Sequence, residues 1–143
     1  VYVGGTNAFN DPTSAKSRTE ALISQGADVI YHAAGASGKG VFQAAKEKGV
    51  YAIGVDSNQD GIVQGVILTS MIKKVDTAVF DLTKQVQENK FEGKIYEYGL
   101  KEDGVGTTDF KYTKDKIGEE NIKKLEDIKK KIEDGEIQVK STR

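Results

Sequence analysis

Short apolar runs alternate with helical stretches along the first half of the chain. Residues 1–4 (VYVG), 28–34 (DVIYHAA) and 50–56 (VYAIGVD) are rich in β-branched and aromatic side chains and are bounded by glycine, the pattern of strands buried on both faces. Residues 12–25 and 39–48 between them read as helices. Asp11 stands at the N-cap position of the first, with Pro12 at the first helical position and Gly26 just past the end; Gly49 stops the second. Helical connections of this length imply right-handed crossovers, which build a parallel sheet. The pattern therefore predicts an α/β fold with a doubly wound parallel sheet, and a fourth strand at residues 65–70 (GVILTS).

The second half has a different texture. An amphipathic helix is predicted over 75–88, where Val75, Ala78, Val79, Leu82 and Val86 recur at helical spacing, so one face needs a partner. Two short segments follow at 93–99, with Ile95, Tyr96 and Tyr98, and at 104–110. The last helix, 119–134, carries Ile122, Leu125, Ile128 and Ile132 on one stripe; Gly135 ends it, and residues 137–139 form a short apolar tail. No internal repeat is present. The expected organisation is an α/β lobe core at 1–74, a crossover helix at 75–92, and a return segment with a C-terminal helix at 93–143.

Charge sharpens the picture. The 143 residues carry 21 basic and 22 acidic side chains, a formal net charge of −1. That near-cancellation argues against nucleic acid or an anionic membrane surface as partner, since both require a field of one sign. Of these, 7 basic and 8 acidic residues lie in 1–83, leaving 14 of each in the last 60 residues. The first part thus reads as core and site, the second as surface helix and connectors. With no cysteine and one histidine, His32, the sequence offers no cysteine nucleophile, disulfide or zinc–thiolate site, and a Ser-His-Asp system could only be built on His32. No targeting signal is visible at the N-terminus, and no stretch approaches the roughly 20 apolar residues of a membrane span.

In an open parallel sheet, ligands sit beyond the carboxyl ends of the strands. Two segments fall there. The first is Ala34-Gly35-Ala36-Ser37-Gly38-Lys39-Gly40, between a strand and a helix start, where glycines admit close approach of a ligand and unpaired amides face hydroxyl or anionic oxygens; the same glycines also suit a plain tight turn. The second is Gly54-Val55-Asp56-Ser57-Asn58-Gln59-Asp60-Gly61. A carboxylate at this strand end can accept two hydrogen bonds from a vicinal diol, or cap the following turn through its own backbone. Next to the glycine loop, the diol reading is the better one. Asp56, Asn58, Asp60 and Gly61 also match the opening of an EF-hand loop, but Ile67 stands where the bidentate Glu is required, which argues against calcium. Ser70 and Lys73 have the spacing of a penicillin-binding nucleophile motif without its companion motifs. Lys73 reads better as a donor at a strand end near a hinge, and His32 as a core histidine.

The succession of these motifs resembles a known family. Tyr2-Val3-Gly4-Gly5, Phe9-Asn10-Asp11-Pro12, Gly26-Ala27-Asp28-Val29-Ile30, Ala34-Gly35 with Gly38 and Gly40, Ile53-Gly54-Val55-Asp56-Ser57-Asn58-Gln59, Leu68-Thr69-Ser70, Lys73, Val75-Asp76 and Gly104-Val105-Gly106 are similar to the basic membrane protein family. These are substrate-binding lipoproteins of ABC transporters, of the purine-nucleoside-receptor type. The resemblance implies the C-terminal lobe of a type I periplasmic-binding-protein fold that closes on a purine nucleoside without catalysis. It implies no cofactor and no metal. The implied ligand-binding residues are Gly35 and Ser37 in the glycine loop, Asp56 as acceptor for the ribose hydroxyls and Lys73 as donor to the ribose. It further implies an ABC permease as partner and a lipid-anchored position on the extracellular face of the cell membrane for the full-length protein. The 75–88 helix would pack on the N-terminal lobe, and in this chain alone its bare stripe predicts self-association.

A competing reading from the same residues is a Rossmann-like NAD-dependent oxidoreductase, because a strand, a glycine loop, a helix, a strand and Asp56 follow in order. Against it, Gly35-x-x-Gly38-x-Gly40 is not the dinucleotide spacing and the loop does not follow the first strand.

Overall fold

The computed structural model describes residues 1, 2 and 4–140. Its regular elements are α1 (Pro12–Ser24), β1 (Val29–Tyr31), α2 (Gly38–Lys48), β2 (Tyr51–Asp56), β3 (Ile67–Lys73), α3 (Val75–Gln87), β4 (Val105–Thr107), α4 (Lys114–Ile117) and α5 (Glu119–Glu133), with single 3-10 turns at Ala8–Asn10 and Gly35–Ser37. The chain divides into two compact units, residues 1–72 with 107–116, and residues 73–106 with 117 onward.

The helix signals in the first unit act as the sequence predicts. The Asp11 carboxylate accepts from the Ser14 amide at 3.0 Å and from the Ser14 hydroxyl at 2.6 Å, and these bonds hold its carboxyl below the usual range. Gly49 closes α2 in the left-handed conformation, at φ +70°. The two helices lie so close that a Cβ on Gly40 would sit 1.9 Å from the Pro12 carbonyl oxygen, so only glycine fits that crossing. Beneath them the core falls into two clusters. Ala15, Ile30 and Val41 join α1, β1 and α2, while Phe42, Ala45, Ala52 and Ile67 join α2, β2 and β3.

The sheet order is β1-β2-β3-β4, and both the β1–β2 and β2–β3 pairings are parallel. Between β2 and β3 the register skips Leu68: Ala52 faces Ile67 and Ile53 faces Thr69. The carbonyl of the skipped Leu68 takes the Thr113 hydroxyl at 2.5 Å, while Thr108 bonds the Ser70 backbone on both sides, so residues 107–116 are latched onto β3.

Two strand expectations need correction. Val1, Tyr2 and Gly4 lie outside any strand, and Val3 lies outside the described residues. Among the described residues the ladder on that side ends at β1, and Val1, Tyr2 and Gly4 do not join it. Instead, Val1, Tyr2 and Gly4 line a groove of about 510 Å³ together with Phe9, Leu22 and Tyr31. The fourth strand starts two residues late, at Ile67, because residues 60–66 are taken up by turns. Residues 93–99 form no strand, and α4 is a short helical turn that the apolar pattern did not signal.

In the second unit, α3 and α5 follow the predicted periodicity but neither buries a residue. Val75, Val79, Phe80 and Val86 of α3 are all more than half exposed. The segment after α3 is held to it through a phenol: the Tyr98 hydroxyl donates to the Asp81 carboxylate at 2.7 Å. Gly104 packs against Tyr98 so closely that a Cβ there would lie 2.4 Å from the Tyr98 Cβ, and its carbonyl accepts from the Lys74 amide at 2.8 Å.

The Asp81 carboxylate pushes the Tyr98 phenol up to about 12 from an ordinary value of 10.0. A folded-state value above the unfolded one means that this bond stabilises the fold fully below pH 10 and is lost as the pH rises through about 12. Phenolate absorbance should show one of the six tyrosines ionising last, near pH 12, with Asp81→Asn returning it to the others. A wild-type titration in which Tyr98 ionises with the rest would contradict the bond.

Candidate ligand-binding site

The carboxyl ends of β1 and β2 bring the two singled-out segments to one edge of the sheet, since Tyr31, the last residue of β1, pairs with Ile53, three residues before the end of β2. After β1 the chain passes His32-Ala33-Ala34 into the Gly35–Ser37 turn and directly into α2. Gly35 has φ +54°, and a Cβ there would lie 3.2 Å from the Phe9 carbonyl oxygen, so both conformation and space require glycine. Ser37 stands at the N-cap position of α2 but makes no side-chain cap. The Gly38 amide donates back to the Gly35 and Ala36 carbonyls, so the 3-10 turn runs straight into the helix.

Ser37 is directed inward. Its hydroxyl is fully buried, accepts from the Asp11 amide at 2.7 Å and donates to the Ala8 carbonyl at 2.7 Å. It ties the start of α1 to the glycine loop, and its hydroxyl faces those backbone groups where a direct ligand contact was expected. His32 is the core residue the sequence suggested. Its ring fills the place a Cβ on Gly38 would take, 2.2 Å from the ring carbon, and meets Phe42 edge-on at 5.0 Å. Burial pushes the imidazole pKa down, opposed by the Gln59 side chain and the Asp56 carboxylate, so the ring is neutral at physiological pH.

Asp56 ends β2 with its side chain exposed and its backbone at φ +71°. The Ser57 amide donates to the Val55 carbonyl at 2.9 Å across it. A three-residue turn with a left-handed central residue is a γ-turn of the rare, strained kind. Such a conformation persists in a non-glycine residue only where its surroundings over-determine it, and functional sites are where it accumulates. Here it turns the last carboxylate of β2 out beyond the sheet edge. Ile72 of β3 is paired with Asp56, and Lys73 is the next residue along that strand, the first of the second unit.

The segment after Asp56 is not arranged as a calcium loop. Asp60 is only 2% exposed and its carboxylate accepts from the Ser70 hydroxyl at 2.6 Å, while the Asn58 side chain accepts from the Asp60 amide at 3.1 Å. Among the described residues, no cluster of three or more His, Asp or Glu side chains could hold a metal ion. The same bond removes Ser70 as a nucleophile, since its hydroxyl is buried and committed to Asp60. Sequence reasoning placed Gln59 and Asp60 in the right segment without seeing that they turn inward. The signal for it was Gly54, two residues before Asp56, where a Cβ would meet the Ser70 hydroxyl oxygen at 2.5 Å and Gln59 at 3.0 Å.

Comparison with known proteins shows the family and the fold. The family model of PnrA-like ABC transporter substrate-binding proteins, called Bmp, matches residues 1–143. Among curated proteins, the chain is 39% identical to a CD4+ T-cell-stimulating antigen of Listeria monocytogenes over 97% of its own length and 43% of that protein's. It is 41% identical to basic membrane protein D of Borreliella burgdorferi over 73% of its length and 31% of that protein's. Among solved structures, an ABC transporter solute-binding protein from Aeropyrum pernix K1 superposes with a TM-score of 0.83 at 30% identity, covering all of this chain and 48% of that one. The chain thus spans less than half the length of the relatives it matches. None of these matches supports a dinucleotide oxidoreductase.

Proposed function

The chain belongs to the PnrA-like family of ABC transporter substrate-binding proteins, and from that premise we propose that it forms part of a receptor that binds a purine nucleoside without chemical change. The observation that carries the reading is the strained γ-turn at Asp56, which directs a carboxylate out of the carboxyl edge of a parallel sheet. A carboxylate has two acceptor oxygens, and a ribose offers two adjacent hydroxyl donors, so one side chain satisfies both. The Gly35 backbone gives the close approach that a flat, uncharged ligand needs. Lys73 is the donor to the ribose that the family resemblance implies. Ser37 acts through the loop it holds. A neutral nucleoside also suits a chain with formal net charge −1, which has no excess of positive charge to gather phosphates.

In the full-length protein, ligand binding would shift an open form toward a closed one that docks on an ABC permease at the extracellular face of the membrane, held there by a lipid anchor. Residues 75–92 then form a crossover helix against the other lobe, and 93–143 return and finish the chain.

Asp56→Asn in the full-length protein should weaken inosine or guanosine binding by about 100-fold or more in calorimetry, the effect of losing two charge-assisted hydrogen bonds. Unchanged affinity would remove Asp56 as the ribose acceptor. The 143-residue chain alone should self-associate through the exposed Val75, Val79 and Val86 stripe of α3, and Val79→Lys should return it to monomer in sedimentation. A wild-type chain that is strictly monomeric contradicts this role for α3.

A further inference from the structure

The left-handed backbone of Asp56 is flanked on both sides by residues whose hydrogen bonds run inward. The Gln59 side-chain oxygen accepts from the Val55 amide at 2.8 Å, pinning the residue just before Asp56 from a point three residues after it. The Gln59 amide in turn donates to the Ser70 hydroxyl oxygen at 3.0 Å. Ser70 is fully buried, and its own proton goes to the Asp60 carboxylate at 2.6 Å, which leaves its oxygen free to accept from Gln59. The order of donors is therefore fixed along the whole path, from Ser70 to Asp60, from the Gln59 backbone to Ser70, and from the Val55 backbone to the Gln59 side chain. Gly54 leaves the space in which Ser70 and Gln59 meet.

A buried carboxylate is costly unless it is bonded, and Asp60, 2% exposed, has no part in the outward-facing site. Its position is explained if its task is to orient Ser70. We propose that Gln59 is the positioning residue for Asp56, backed by Ser70 and Asp60, and that this inward knot fixes the γ-turn that makes the Asp56 carboxylate selective for a vicinal diol. The diol part rests on the nucleoside reading above; the positioning part does not.

Gln59→Met keeps the length and bulk of the side chain and removes its acceptor. Two measurements on the full-length protein decide the matter. Hydrogen exchange of the Ser57 amide, closed by the γ-turn in the wild type, should accelerate about tenfold in Gln59→Met, with β2 amides such as Ile53 unchanged. In binding, the preference for inosine over 2′,3′-dideoxyinosine should fall about tenfold while affinity for the dideoxy compound is kept. A merely structural role would weaken both ligands equally. Unaltered Ser57 exchange, or equal losses for both nucleosides, would overturn the proposal. If the wild type binds neither nucleoside, the ribose reading falls, and the Ser57 exchange alone decides whether Gln59 positions Asp56. Ser70→Ala, which cuts the same path one bond earlier, should reproduce both changes.

Discussion

At the end of β2 the backbone is bent against the preference of the residue that occupies it. Asp56 sits at φ +71° with the neighbouring amide and carbonyl closed across it, a geometry that any L side chain resists. The bend is kept by hydrogen bonds that run inward, through Gln59 and Ser70 to the buried Asp60. Everything proposed for the site depends on that arrangement, because without the bend the strand would continue and the carboxylate would lie along the sheet edge. The first unit can be seen as a rigid frame around it: the parallel pairing of β2 with β3 brings Ser70 alongside Gly54, and residues 107–116, latched to β3 by Thr108 and Thr113, hold that strand in place.

The glycine loop is fixed by different means. Ser37 binds it to the start of α1, His32 fills the space at Gly38, and Gly40 lets α1 and α2 touch backbone to backbone. Each contact is made by a small or buried residue that faces away from solvent. The loop is thereby held in shape from behind, and a surface formed in advance keeps the entropic cost of any binding low.

Much of the fold could be read from the chain because local and global signals agree in the first unit. Asp11 with Pro12, and Gly49, mark helix boundaries by chemistry that acts within a turn, and the apolar runs of β1 and β2 need only a neighbour to become strands. Val1, Tyr2 and Gly4 come from a run of the same composition and lie outside any strand, since composition alone does not decide whether a segment docks on a sheet edge. The position of Asp56 at a strand end could be read from the apolar run before it, but the left-handed turn it occupies could not. Ser37 was not, because a hydroxyl in a loop reads alike whether it faces a ligand or the backbone of another segment 26 residues away. Gln59 and Asp60 were hidden for a related reason: polar residues in a turn look solvated until the third dimension shows Ser70 behind them.

The most direct test is a structure of the full-length protein with a purine nucleoside bound. The account predicts both ribose hydroxyls on the Asp56 carboxylate, with φ at Asp56 still positive and the Gln59–Val55 bond intact. Ribose hydroxyls bonded elsewhere, or Asp56 in an ordinary extended conformation in the complex, would contradict it.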